Sequence, residues 1–291
     1  MHGLPFFKYS PSGNMTLLVV DPGLSARERA AIARRIMNDD HVGAEQVGYI
    51  DTRSSLPRLE MMGGELCVNA CRSMAALLHA ENRLTPKTGL LPTDPEYGWK
   101  YGLLQSSGVT VPLEVRARSL DSGDFPARHE AGVCLRLPAF PKIVELDKGI
   151  ALLRLPGISH LVLDSRHHAF PADWRSETEA LRHRFALEED EAVGCLWLDI
   201  TGLALTPVVW VNATEMAHLE TACGSGTLAC ALYLSAIQKD IEHSAPIRIR
   251  QYGGEILEVR LNATEDTLEA WISGNVDCVA RGELFIDMAE L

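Results

Sequence analysis

A chain of 291 residues, 46% of them hydrophobic and 23% charged, has the material for two cores of ordinary size or one large one. Its formal net charge of -12, with no dense Lys/Arg cluster, implies solubility and excludes nucleic acid as a partner. No apolar run reaches the roughly 18 residues a membrane span needs, and "MHGLPFFKYSPSGNMTLLVVD" shows no basic segment followed by an apolar stretch and a cleavage site, so neither a span nor a signal peptide is expected.

Taken in order, the chain alternates strands and helices, with more strand than helix. "MTLLVVD" (15–21) is an apolar, β-prone run. "SARERAAIARRIMNDD" (25–40) has helical periodicity, with Ser25 as N-cap and Arg27 to Arg35 on the wet side. "QVGYIDT" (46–52) reads as a strand. "VNACRSMAALLHAENRL" (68–84) is apolar nearly all round, as a buried central helix should be. "VTVPLEVRARSL" (109–120) alternates like a half-buried strand, and "AGVCLRLP" (131–138) is another. The second half repeats the theme. "HLVLDS" (160–165), "AVGCLWLDI" (192–200) and "TPVVWVNA" (206–213) read as strands, and "SETEALRHRFA" (176–186) as a helix capped by Ser176. A second apolar helix covers 224–238. "PIRIRQYGGEILEVRLN" (246–262) reads as a hairpin around Gly253-Gly254, and 268–287 supplies the last strands.

Each half thus holds strands around one apolar helix, and each of those helices follows directly on a cysteine: "ELC-VNACRSMAALL" and "TAC-GSGTLACALYL". Cys67 and Cys223 stand about half a chain apart, which is the pattern of an internal duplication. The seven cysteines, an odd number in a long chain without a leader, indicate reduced thiols in the cytoplasm. None forms a CxxC pair and no histidine stands at a matching spacing, so no metal site is expected. Cys71, Cys134, Cys195, Cys230 and Cys278 are read as small core hydrophobes.

Cys67 and Cys223 admit a second reading. A helix N-terminus exposes unpaired N–H groups and partial positive charge, which stabilise a thiolate and lower its pKa. The same N–H groups bind carboxylates. Gly224 and Ser225 let a ligand approach the backbone, and Asn69 and Ser225, each two residues beyond its cysteine, can add side-chain hydrogen bonds. Two such cysteines on opposite sides of one Cα would invert it without a cofactor: one thiolate removes the proton and the other thiol delivers one to the far face. From the residues alone, the packing and catalytic readings of Cys67 and Cys223 both stand.

The motifs carry a family resemblance. "ETACGSGTLA" resembles the second active-site cysteine motif of diaminopimelate epimerases, and "GGELCVNACRS" resembles the first. "FFKYSPSGNMTLLVV" is similar to their N-terminal strand and Gly-Asn turn, with Asn14 in the asparagine position. "GAEQVGYID" is similar to the segment with the active-site glutamine, here Gln46. "GISHLVL" keeps Gly157 and His160 of a Gly-Asn-Pro-His motif. Among these enzymes, "HVGAEQVGYID", "VGCLWLD" and "QYGGEILEV" look most like the histidine racemases of staphylopine-type metallophore biosynthesis. The resemblance implies an α/β (α+β) fold of two pseudo-symmetric domains, each a twisted, mostly antiparallel sheet wrapped around a central helix. The implied division is 1–138, completed by the C-terminal strand 279–291, and 139–278. It further implies an amino-acid racemase that needs no cofactor, with Cys67 and Cys223 catalytic. Relatives of this fold often pair as dimers.

Where the sequence departs from the epimerase pattern, it speaks against diaminopimelate. Val68 replaces the usual glycine after the first cysteine; its backbone N–H survives, but its side chain narrows the carboxylate pocket. Met61-Met62 stand where an asparagine is usual, and "NATEMAHLE" lacks the arginine that would pair with a distal carboxylate. Glu45 beside Gln46 suits a cationic or hydrogen-bonding side chain such as imidazole. Glu215 and Glu220 both precede Cys223; one of them is to hold the substrate ammonium and the other to orient the loop. His160 is a substrate contact or a satisfied strand histidine. Three readings remain open: racemisation of histidine, racemisation or epimerisation of another amino acid (diaminopimelate included), and a non-catalytic amino-acid-binding protein.

Overall fold

The computed structural model describes residues 3–286, apart from 39, 90–92, 95, 122–126, 213–214, 238–244 and 265–266. Position 39 of the first helix reading, 213 of the strand reading over 206–213, 238 of the last helix reading and 287–291 of the C-terminal strand lie outside the described residues. The chain divides into two compact units, Met1–Cys134 with Ser273–Leu291, and Leu135–Ile272.

In the first unit, β1 (Leu4–Pro11) pairs antiparallel with β2 (Thr16–Val20). Helix α1 (Ala26–Ile36) carries the chain to β3 (Gln46–Asp51), parallel to β2, and β4 (Arg58–Met61) returns antiparallel to β3. Helix α2 (Val68–Ala80) follows, then β5 (Thr85–Pro86) and β6 (Lys100–Ser106), parallel to β4. β7 (Leu113–Ser119) and β8 (Arg128–Leu137) extend the sheet antiparallel. The second unit repeats this order. β9 (Ile143–Asp147) and β10 (Ile150–Leu155) lead to β11 (Ile158–Asp164), antiparallel to β10. Helix α3 (Trp174–Arg184) crosses to β12 (Ala192–Asp199), parallel to β11, and β13 (Ala204–Val211) returns antiparallel, followed by β14 (Met216–Leu219). Helix α4 (Gly224–Ile237) precedes β15 (Ile247–Gln251), which is parallel to β13, and β16 (Ile256–Ala263) closes the hairpin. β17 (Leu268–Leu284) is one continuous strand that pairs with β1 from Val276 to Leu284.

Both units therefore run through the same series: an antiparallel pair, a crossover helix, a parallel strand, an antiparallel return, an apolar helix, and a strand parallel to that return. The mixed α/β fold, dominated by sheet and carrying four helices among the described residues, is as the sequence resemblance implies. All thirteen residues of α2 are buried, packed on β1, β2, β3, β4, β6 and β7. That explains a helix with no polar face: the sheet curls around it, so every side of its surface leaves water. α4 is likewise buried along most of its length, against β10, β11, β12 and β16.

Local differences from the sequence reading have physical causes. α2 stops at Ala80 rather than 84, because Asn82 takes a left-handed conformation (φ 55°) and Arg83 N–H bonds back to Leu78 O at 2.8 Å. The cap of α3 is Asp173, whose carboxylate accepts from Ser176 N–H at 3.2 Å and from its hydroxyl at 2.7 Å; Ser176 lies in the first turn. The strand placed at 109–120 begins at Leu113, after a turn at Gly108 (φ +72°) and Pro112. Ser25 caps α1 through a reciprocal bond pair with Glu28, as its spacing predicts.

Candidate active site

Each unit places a cysteine at the foot of its central helix, and the two are built alike. In the first unit Cys67 is the N-cap of α2, with its sulfur accepting from Ala70 N–H at 3.3 Å. In the second unit Cys223 immediately precedes α4, and its sulfur accepts from Gly226 N–H at 3.4 Å. Both thiols thus occupy the place of an N-cap oxygen, three residues before the N–H they satisfy. Both are almost fully covered, 8% and 4% exposed.

Around Cys67 the structure brings together five residues singled out by sequence: Asn14, Glu45, Gln46, Val68 and Asn69. The thiol donates to Gln46 Oε1 at 2.7 Å, from the first residue of β3. Gln46 N–H and Glu45 N–H both donate to Met15 O, at 3.2 and 2.8 Å. The Glu45 carboxylate accepts from Asn14 Nδ2 at 3.0 Å and from Met15 N–H at 3.1 Å. Asn14, fully buried, accepts from the Thr16 hydroxyl at 3.3 Å. The turn that delivers Asn14 has two left-handed residues, Ser12 (φ 56°) and Gly13 (φ 93°). Val68 and Asn69 form the buried first turn of α2.

Around Cys223, the backbone N–H donates to Gln251 Oε1 at 3.1 Å, and Ser225 Oγ lies 3.6 Å from the sulfur. Burial pushes the Cys223 thiol well above the ordinary cysteine value; the charge of Glu220 and its hydrogen bond push the same way, and Gly226 N–H and Ser225 only partly offset them. This corrects the expectation that a helix N-terminus lowers the pKa of this cysteine: desolvation and a neighbouring carboxylate outweigh one helix end. Glu220 is buried, with its N–H on Pro207 O at 3.0 Å. Glu215 is exposed, left-handed (φ 54°), and lies beyond the other end of β14. Five residues of extended chain, roughly 16 Å, separate the two, so only Glu220 is brought to the thiol.

His160 sits in β11 with no exposed surface, and neither ring nitrogen has a hydrogen-bond partner. Burial pushes its pKa down to about 3, so the ring is neutral. It rests against Gly194 of β12, where a Cβ would fall 2.2 Å from Nδ1. Cys71 and Cys195 are fully buried, and burial pushes both thiols up to about 12, as inert core cysteines require; Cys230 is pushed the same way.

Two residues of these clusters escape a sequence reading. Gln251 is buried and spans Cys223 N–H, the Thr227 hydroxyl (3.0 Å from its Nε2) and Ile249 O (3.1 Å). The stretch "QYGGEILEV" carries the family resemblance, but nothing local marks the role of Gln251, because Thr227 and Cys223 lie 24 and 28 residues away in sequence. Gln251→Leu leaves the Cys223 N–H without its acceptor; we expect a loss of about 1–3 kcal/mol in stability and slower turnover, checked by thermal melting and rate measurement on the same preparation. The other is Arg72, a cation inside an otherwise apolar helix, a signal visible in "VNACRSMAALL" once the helix is known to be buried all round.

The family model of the histidine racemase CntK N-terminal domain matches residues 3–285. The chain belongs to this histidine racemase family. A histidine racemase of Fusobacterium nucleatum subsp. nucleatum is 25% identical over 286 residues, covering 97% of both chains. One of Staphylococcus aureus is 24% identical over 297 residues, covering 98% of both. In solved structures the same fold occurs in a hydroxyproline epimerase of Agrobacterium vitis (TM-score 0.62, 12% identity, 98% of this chain and 93% of that one). It also occurs in a Bacillus anthracis phenazine biosynthesis protein of the PhzF family (TM-score 0.59, 14% identity, 98% and 100%). As a member of the histidine racemase family the protein is an isomerase, an amino-acid racemase. No helix among the described residues is long and apolar enough to cross a membrane.

Proposed function

We propose that this racemase interconverts L- and D-histidine without a cofactor, using Cys67 and Cys223 as the two proton-transfer groups. The observation that carries the reading is the matched pair: each unit caps its buried central helix with a cysteine whose sulfur takes the N–H three residues on. A thiol in that place stands at the positive end of a helix, where an α-carboxylate also binds. The first turns that begin at Val68-Asn69 and Gly224-Ser225 receive the carboxylate. Buried Glu220 receives the ammonium, and the Asn14–Glu45–Gln46 cluster faces the imidazole. That the Fusobacterium and Staphylococcus relatives are histidine racemases supports histidine. So does the stretch 212–220, which offers no arginine for a second carboxylate. The D-histidine would supply opine-type metallophore synthesis, in a reducing compartment that keeps all seven cysteines free.

In the chemistry, one thiolate takes the Cα proton and leaves the electron pair on carbon, delocalised into the carboxylate. The opposite thiol then gives its proton to the other face. The thiolate has become a thiol and the thiol a thiolate, so protons balance and the reverse direction exchanges the roles. Paired helix ends lower the barrier by stabilising the negative charge on the carboxylate.

Purified protein in deuterated water, without pyridoxal phosphate or metal, is expected to replace the Cα proton of L-histidine by deuterium and to yield D-histidine by chiral chromatography. Exchange confined to another amino acid transfers the reading to that substrate. No exchange with any of a panel of amino acids overturns it.

A further inference from the structure

The hairpin of β15 and β16 follows α4, and its first strand is fastened to the segment that carries Cys223. Gln251 ends β15 and is buried. Its Oε1 accepts from Cys223 N–H at 3.1 Å, and its Nε2 donates to Thr227 Oγ1 at 3.0 Å. The Thr227 hydroxyl in turn donates to Cys223 O at 2.5 Å. The three bonds close a ring, from Cys223 N–H to Gln251, from Gln251 to Thr227, and from Thr227 back to Cys223. The amide has one orientation in it, because Cys223 N–H can only donate and Ile249 O, 3.1 Å from Nε2, can only accept. All three members of the ring are buried. Two residues further on, Gly253 N–H donates to Thr221 O at 2.8 Å, and a Cβ on Gly253 would stand 3.1 Å from that oxygen. Glycine lets the turn close this tightly on the residue two before Cys223.

The first unit joins the corresponding places in another way. β6 lies parallel to β4 as β15 lies parallel to β13, with Ser106 opposite Leu59 and Gln251 opposite Leu205. Cys71 and Thr227 each stand four residues after the cysteine at their helix start. Cys71 Sγ donates to Ser106 Oγ at 3.5 Å, a short link between β6 and α2, and Cys67 is held at its sulfur by Gln46. The turn after β6 also rests on the residue two before its cysteine, since Ser107 Oγ donates to Glu65 O at 2.7 Å. The resting turn is common to both units, and the ring through Gln251 belongs to the second. A Cα–Cβ bond takes its direction from the N, Cα and C atoms of its own residue. The ring holds both the N–H and the C=O of Cys223, and Gly226 N–H meets the sulfur at 3.4 Å.

We propose that Gln251, through this ring, is a positioning residue that aims the Cys223 thiol, and that it serves proton transfer on one face of the substrate only. The inference rests on the two-thiol reading above and deepens it. Gln251 and Thr227 act through the backbone of Cys223, which remains the catalytic residue. Gly224 and Ser225, which receive the carboxylate in that reading, stand outside the ring. A broken ring therefore leaves substrate binding and misaims the thiol, and a misplacement of about 1 Å costs up to about 10²-fold in rate. Cys67, fastened by Gln46 in the first unit, keeps its own aim.

The test uses two variants of the whole protein. Thr227→Val removes the hydroxyl and keeps the Thr227 N–H that also bonds Cys223 O, at 2.9 Å; Gln251→Met keeps the length and removes both polar groups. Each is expected to lower kcat for histidine racemisation by about ten- to a hundredfold with KM within about twofold of the wild type. In deuterated water, exchange of the enantiomer whose Cα proton Cys67 takes should stay near the wild-type rate, while exchange of the other falls in step with kcat. Cys223→Ser, which keeps Cys67 alone, identifies which enantiomer is which. Thr227→Ser restores the hydroxyl and is expected to recover most of the lost kcat. A second arm, iodoacetamide labelling located by fragment mass spectrometry, needs no amino acid. In both variants Cys223 is expected to label several-fold faster, while Cys67 and Cys230, the latter fully buried in α4, keep their wild-type rates. Unchanged kcat in both variants overturns the inference, and so does equal loss of exchange in the two enantiomers. A rise at Cys230 together with Cys223 marks general loosening of the unit and overturns it too. If Gln251→Met does not fold, Thr227→Val and Thr227→Ser decide. A wild type that racemises no amino acid overturns the proposed function, and the labelling arm then decides whether the ring holds Cys223.

Discussion

Cys67→Ser and Cys223→Ser are each expected to lower racemisation by about 10²–10⁴-fold while leaving the fold intact. A serine hydroxyl is a far weaker acid than a thiol and is not ionised at neutral pH, so neither proton removal nor delivery survives at the substituted face. Serine is, however, a preferred N-cap residue, and its oxygen can take the same N–H of Ala70 or Gly226 that the sulfur takes now. Lost activity therefore cannot be ascribed to a lost cap. The single variants should also separate exchange from inversion. With one thiol left, a proton taken from one enantiomer returns from the same side, so deuterium enters without change of configuration. Cys223→Ser, which keeps Cys67, should exchange one enantiomer of histidine and Cys67→Ser the other. The measurement is proton NMR of each enantiomer in deuterated water beside chiral chromatography. Near-wild-type racemisation by either variant rules out the two-thiol scheme.

Acid is expected to destabilise both units, through two buried histidines. His129 and His160 have no exposed surface, and none of their ring nitrogens has a hydrogen-bond partner. Burial lowers His129 to about 4, with nearby His79 adding to the effect, and lowers His160 to about 3. The sign follows from linkage. Both folded-state values lie below the 6.5 of an exposed histidine, so below that pH the unfolded chain takes up protons that the folded protein refuses. Stability is complete above about pH 6.5 and falls as pH drops toward the folded values, by about 1.4 kcal/mol per pH unit for each histidine. His129 belongs to the first unit and His160 to the second, so each unit carries its own acid sensitivity. Urea melts at neutral pH and near pH 4.5 measure the slope. His129→Phe keeps an aromatic ring against His79, whose centroid lies 5.2 Å away, and should remove the His129 share of that slope. A slope unchanged by His129→Phe would show that the first unit's acid sensitivity arises elsewhere.

Much of this architecture is legible in the residues. An almost wholly apolar helix, as in "CRSMAALL", belongs in the interior, and two of them half a chain apart, each just after a cysteine, point to a duplicated fold and single out both cysteines as candidates. The continuous apolar strand Ala192–Asp199 and a glycine-centred hairpin at Gly253-Gly254 are equally local signals. What local pattern leaves undecided depends on partners distant in the chain. The four-residue strands β4 and β14 carry too few alternations to be seen, and they exist because β3 and β13 hold them. Glu215 and Glu220 are equivalent in the sequence, and only the run of β14 sets one beside Cys223 and the other in water. The two cysteines look alike at their helix starts, yet their distant partners differ: Gln46 accepts from the Cys67 thiol, whereas Gln251 accepts from the Cys223 N–H. Helix, strand and cap follow from neighbours a few residues away and can be read from the chain. Burial and hydrogen-bond partners at a thiol come from segments the fold brings together, such as Gln46 at Cys67 and Gln251 at Cys223, so only the tertiary structure sets the surroundings of each cysteine.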